Sequence, residues 1–223
     1  MQVLGEGRTV ETTSQVREYL LEKSRFHDKG RPHLSNFVRS LTDERFDALG
    51  ALRMCFKERD RETQGMRSSV RYEAYALRLL SNLLDKAQLQ WSISMQRRIA
   101  VEPQAPSVQV VAHLDFLVRI HDSMVVVELK KNIDNIYSDL FKFALMAQDP
   151  GCADWRKFEV VLEEENRANA GSTYVAALGW AKNQKVLDDW FYLYLQEDEL
   201  NENIGRLEAS LESTKGLARR APG

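Results

Sequence analysis

The stretch Val110-Val111-Ala112-His113-Leu114-Asp115-Phe116-Leu117-Val118-Arg119-Ile120, then His121-Asp122-Ser123, then Met124-Val125-Val126-Val127-Glu128-Leu129-Lys130 decides how this chain is read. Two apolar, β-branched runs flank a polar break of hairpin length, the pattern of two antiparallel strands joined by a tight turn. Side chains alternate faces along a strand, so Glu128 and Lys130 share one side while Val125, Val127 and Leu129 share the other. In the first run Val110, Ala112, Leu114, Phe116, Val118 and Ile120 form an apolar side, and Asp115 falls opposite with Gln109, His113 and Arg119. Antiparallel pairing of the runs brings Asp115 near Glu128 and Lys130 on one face. A carboxylate among apolar residues loses water, at a cost that a cation or donor must offset. Two acids and a lysine gathered this way suit a divalent metal and phosphodiester hydrolysis.

Outward from this hairpin the pattern continues. Leu89, Trp91, Ile93 and Met95 alternate with Gln90, Ser92, Ser94 and Gln96 as a half-buried strand that Arg97-Arg98 ends. Ser68 and Ser69 are good caps for a helix running from Val70, with Glu73, Leu77, Leu80 and Leu84 on one stripe. Downstream, Asn132 caps a helix from Ile133 to Gln148, and Pro150-Gly151 ends it. Ile133, Tyr137, Leu140, Ala144 and Ala147 form its apolar stripe, and Asp139 with Lys142 reads as an i, i+3 surface pair. Phe158 to Leu162 and Tyr174 to Ala181 read as strands, whereas Leu187 to Leu195 fits a helix or a strand equally.

Asp115, followed after a hairpin by Glu128-Leu129-Lys130 and bracketed by helices, resembles the PD-(D/E)XK nuclease superfamily. The similarity covers roughly residues 68 to 180, and Leu114 stands where the family name has proline. It implies an α/β (α+β) fold, a central mixed sheet flanked by helices with a restriction-endonuclease-like core. It further implies that Asp115, Glu128 and the backbone carbonyl of Leu129 hold Mg²⁺, with Mn²⁺ as a substitute. Lys130 would position the attacking water or neutralise charge developing at phosphorus. Many members carry a glutamate in the preceding helix, which makes Glu73 a further catalytic and metal-site acid. The first turn of any helix also attracts acids through its dipole, and both readings of Glu73 stand. Lys131, Lys142, Arg97, Arg98 and His113 are the candidates for contact with nucleic acid. The implied activity is a Mg²⁺-dependent nuclease, on DNA before RNA and at internal bonds before ends. The alternative is a catalytically inactive nuclease-fold protein that binds nucleic acid or organises a complex.

Composition frames this reading. At 223 residues, with 43% hydrophobic and 29% charged, the chain matches an ordinary globular protein. Its net charge is −2, unevenly spread: 14 Lys/Arg against 10 Asp/Glu from Arg8 to Arg71, then 4 against 12 from Glu159 to Glu212. The basic part suits phosphates, and the acidic C-terminal region suits solvent or a protein partner; a homodimer is left open. No apolar run approaches a membrane span, and Met1 to Glu6 lacks the basic-then-apolar form of a secretory signal. Cys55 and Cys152 are too few for a disulfide framework or a cysteine-built zinc site, so a cytoplasmic protein is expected. Three parts follow: a helical N-terminal region over 1–66, a nuclease-like core over 67–196, and an acidic helix with a tail over 197–223. In the first part Thr13 or Ser14 caps a helix through Lys23, and Thr42 begins another with Phe46, Leu49, Leu52 and Phe56 on its stripe. His27 and His33 read as solvated loop residues.

Overall fold

The structure is a computed structural model that describes residues 2–3, 7–27, 36–57, 68–101, 110–130, 136–161, 190–194 and 200–217. Its centre is the hairpin. Strands β4 (Val110–Ile120) and β5 (Ser123–Lys130) pair antiparallel, from Ile120 opposite Ser123 to Phe116 opposite Val127. His121 turns the corner with φ of 51°, the left-handed value that primed hairpin turns place at their first central position. Before them lie β1 (Gln2–Val3), β2 (Thr9–Val10), α1 (Thr13–His27), α2 (Asn36–Thr42), α3 (Ala48–Lys57), α4 (Ser68–Lys86) and β3 (Trp91–Val101). After them come α5 (Ile136–Gln148), β6 (Arg156–Val161), β7 (Trp190–Tyr194) and a last helix, α6 (Leu200–Leu217). The strands form one seven-stranded mixed sheet in the order β1-β3-β4-β5-β6-β7, with β2 also on β3. Pairing is antiparallel up to β5 and parallel from β5 to β7. The fold is α/β, with helices against a mixed sheet.

Both faces of the sheet are covered. A larger core joins α1 to α4 and α6 to Trp91, Ile93, Met95, Phe116, Val118, Val125 and Val127. A smaller one joins Leu140, Phe143 and Met146 of α5 to Ile99, Val101, Ala112, Leu114, Leu117 and Val126. Residues from all three sequence parts therefore meet in one folded body, since Leu20, Leu77 and Leu207 share the larger core.

Alternation along β3 and β4 departs from the sequence reading. Met95 faces the larger core and Ile99 the smaller, although both are odd-numbered. Likewise Leu114 and Phe116 face opposite cores, so the single apolar side expected for β4 is split. The cause is local. Gln96 adopts φ of 54°, and the register on either side places it opposite Asp115. A left-handed residue interrupts the pleat, and the side chains beyond it exchange faces. Arg97-Arg98 consequently does not end the strand, which runs on to Val101.

Helix ends also differ from expectation. Thr12, not Thr13 or Ser14, caps α1: its Oγ1 accepts the Gln15 N–H at 3.2 Å. Thr42 closes α2 rather than opening a helix, and its hydroxyl donates back to the Val38 carbonyl at 2.9 Å. Asp47 caps α3 by accepting the Leu49 N–H at 3.1 Å. The carbonyls at the end of α2 are met by two arginines, Arg17 on Thr42 at 2.7 Å and buried Arg78 on Leu41 at 2.8 Å. Cationic donors at a helix C-terminus complement its dipole. The aromatic run of β7 resolves as strand, in keeping with the preference of Trp, Phe and Tyr for a pleated surface. The expected strand Tyr174 to Ala181, His33, the Asn132 cap and the tail beyond Leu217 lie outside the described residues. Among the described residues no helix is long and apolar enough to cross a membrane.

Trp91, buried at the start of β3, donates its indole N–H to Asp85 at 2.8 Å and so ties the sheet to the end of α4. Trp91→Phe is expected to cost about 1–2 kcal/mol, from the lost bond and lost contact, measured by urea unfolding.

Candidate metal centre

The three residues of the motif stand on the face of the sheet that α5 covers. The ladder between β4 and β5 stops at Phe116 and Val127, one pair short of Asp115 and Glu128. There the Asp115 side chain replaces the ladder, its Oδ2 accepting the Leu129 N–H at 2.9 Å. The carboxylate is thereby oriented beside Glu128, close enough to contribute to its charge environment. Glu128 is 2% exposed, and its Oε1 is buried without a hydrogen-bond partner among the described residues. Burial first, and then the nearby Asp115 and Asp139 charges, push the Glu128 carboxyl from the ordinary 4.5 up to about 8 against the pull of Lys142.

Two lysines and a third acid complete the cluster. Lys130 Nζ lies 2.8 Å from Asp139 Oδ2. Lys142 Nζ lies 2.8 Å from Glu128 Oε2 and 3.3 Å from Asp139 Oδ1, and it donates to the His113 carbonyl at 2.8 Å. Burial pulls the Lys142 ammonium down, but Glu128 and Asp139 more than reverse this, so its pKa is raised and it stays charged. The expected surface pair is thus corrected: Asp139 is 2% exposed and holds both lysines. A signal for it existed in the sequence, since Asp139, Phe143 and Met146 are spaced i, i+4, i+7 and form the stripe α5 buries.

The remaining candidates are dispersed. Glu73 pairs with Lys23 of α1 at 3.7 Å and is not among the charges acting on Glu128. The helix that carries it packs on the larger core, whereas Glu128 follows Val126 toward the smaller one. Arg97 bonds Thr9 Oγ1 at 3.1 Å, across to β2. Arg98 is exposed on β3, opposite His113, whose side chain is exposed as well. Lys131 lies outside the described residues. Beside Lys142 opens a groove of about 270 Å³, lined also by Val111, His113, Phe141 and Leu145, and Phe141 is 60% exposed there.

The oxygen donors here are of the chemical class that a hard divalent ion takes. Asp115 Oδ1, the partnerless Glu128 Oε1 and the Leu129 carbonyl are oxygen ligands of the kind Mg²⁺ and Mn²⁺ prefer. Among the described residues no three His, Cys, Asp or Glu side chains converge to hold a metal. Water and phosphate oxygens would have to supply the other positions, as is usual for Mg²⁺.

No family model matches the chain, and no curated protein does. Among solved structures it is similar to protein VC1899 from Vibrio cholerae, at 14% identity and a TM-score of 0.42. The likeness covers 92% of this chain and 59% of that one, so the chain spans well under two thirds of its length.

Proposed function

We propose that this protein is a metal-dependent phosphodiesterase that hydrolyses nucleic acid, DNA in the first place and internal bonds before ends. The observation that carries the reading is the buried, partnerless oxygen of Glu128 beside an Asp115 oriented by the Leu129 N–H. A buried carboxylate oxygen without a donor is costly, and a bound cation relieves it. Asp115, Glu128 and the Leu129 carbonyl would hold the ion. Mg²⁺ bound there would polarise the phosphate and lower the pKa of a water. Lys130, fixed by Asp139, keeps an ammonium at the rim, where it can orient that water or meet charge developing at phosphorus. Phe141 offers a flat apolar surface next to the cluster on which a base can rest. Phe141→Ala is expected to weaken binding of a single-stranded oligonucleotide about fivefold, on the order of 1 kcal/mol, by fluorescence anisotropy.

A second reading has its own support. Lys142 already places a cation on Glu128, so the site has a counter-ion without any metal, as an inactive nuclease-fold protein that binds nucleic acid or organises a complex could have. Incubation of the purified chain with linear, circular and single-stranded substrates separates the two. Cleavage with Mg²⁺ or Mn²⁺ that stops with chelator supports the hydrolase. Binding of these substrates with no cleavage under any metal supports the second.

A further inference from the structure

Lys142 entered the sequence reading as a contact for phosphate, yet its ammonium points into the acid cluster. An ammonium has three N–H donors. Here three oxygens surround it, Glu128 Oε2 at 2.8 Å, Asp139 Oδ1 at 3.3 Å and the His113 carbonyl at 2.8 Å. They come from β5, α5 and β4, so the ammonium joins three elements. Its side chain is 19% exposed. An all-oxygen shell around a compact cation, shared with a buried carboxylate whose other oxygen is partnerless, is also a shell that a hard metal would seek.

We infer that Lys142 is the resident counter-ion of this site: its ammonium holds Glu128 and Asp139 in the metal-free protein and competes with a divalent cation for Glu128. The inference rests on the metal reading proposed above. Once Glu128 is ionised, as a metal ligand must be, Asp115, Glu128 and Asp139 together present three acids to the two ammonium groups of Lys130 and Lys142. A divalent ion next to Glu128 therefore meets one ammonium already on that carboxylate. The two cations repel each other in a poorly hydrated setting, and loading the ion means loosening Lys142 from Oε2. Lys142 is then a positioning residue for the acids, with no donor left for a phosphate while it sits there.

Mn²⁺ binding to the full chain, read from the loss of the free-ion electron paramagnetic resonance signal, tests this. Lys142→Met is expected to bind Mn²⁺ about tenfold more tightly than the parent, because the cation that competes for Glu128 is gone. Asp139→Asn/Lys142→Met, compared with Asp139→Asn alone, is expected to show the same gain with fewer uncompensated acids, which guards against loss of folding. Glu128→Gln is expected to abolish binding. A labelling measurement needs no variant: Mg²⁺ is expected to increase acylation of Lys142 in the parent protein, relative to Lys23, by mass spectrometry. Equal or weaker Mn²⁺ binding in both Lys142→Met backgrounds, or unchanged Lys142 labelling in a protein that does bind the metal, overturns the inference and leaves the metal reading intact. No Mn²⁺ binding by the parent or any variant overturns the metal reading, and this inference with it.

Discussion

Asp115→Asn, Glu128→Gln and Lys130→Ala are each expected to lower Mg²⁺-dependent cleavage by about 10²–10³-fold or more, as loss of a single transition-state partner does. The amide variants keep size and hydrogen bonding while removing charge. Asn at 115 can still accept the Leu129 N–H that Asp115 holds at 2.9 Å, so the backbone beyond the β4–β5 ladder should stay in place. Unfolding of Asp115→Asn in urea is accordingly expected within about 1 kcal/mol of the parent, separating lost chemistry from lost structure. Asp115→Ala, which frees that N–H, should cost about 1–2 kcal/mol more. Lys130→Ala leaves Asp139 with Lys142 alone, so a modest loss of stability accompanies its loss of activity. Because the three groups act as a unit, the double variant Asp115→Asn/Glu128→Gln should fall no further than the worse single one. Cleavage within tenfold of the parent in both amide variants would remove the hydrolase reading.

The second large effect is on stability against pH. In chelator, Glu128 is expected to make the fold weaker as the medium becomes more alkaline. The sign follows from its raised carboxyl: the folded state holds the proton up to about 8, while the unfolded chain releases it near 4.5. Its contribution is fully present below about 4.5 and is lost as pH rises through about 8. At about 1.4 kcal/mol per pKa unit, that interval sets an upper bound of about 5 kcal/mol. Relaxation and water entry at a site 2% exposed bring the expected difference nearer ~2–3 kcal/mol. Glu128→Gln mimics the neutral acid and removes the dependence. Its advantage over the parent should be near zero at pH 5 and grow to this amount by pH 9. Parallel stability curves for the two proteins, from guanidinium titrations between pH 5 and 9, would show that Glu128 is not so displaced.

Much of the sheet is legible in the residue order. Trp91, Ile93 and Met95 are buried as their alternation requires, and Val125 and Val127 face the larger core. His121-Asp122 turns the chain where the polar break falls. The strand after α5 and the acidic C-terminal helix were also legible, with ends shifted by a few residues. What escaped was non-local. Nothing in the alternation around Gln96 announces a left-handed residue, so the exchange of faces beside Asp115 could not be read. Glu73 looked like a third acid of the site because its stripe points to a core, and the lysine that pairs with it, Lys23, sits fifty positions earlier. Lys142 and Asp139 looked solvated because the apolar stripe expected for α5 ran through Leu140 and Ala144; both are buried, and contact with the sheet buries Asp139, Phe143 and Met146 beside them.

Glu128 and Lys130 emerge on the same side of β5 because no left-handed residue interrupts that strand, and in an unbroken extended backbone side chains two apart share a face, as their spacing in the sequence predicts. Which cation rests on Glu128 is a different kind of property. Lys142 reaches it only after α5 has folded across the strands and excluded water, and burial then makes the pairing of those few charges matter far more than it would in the open chain.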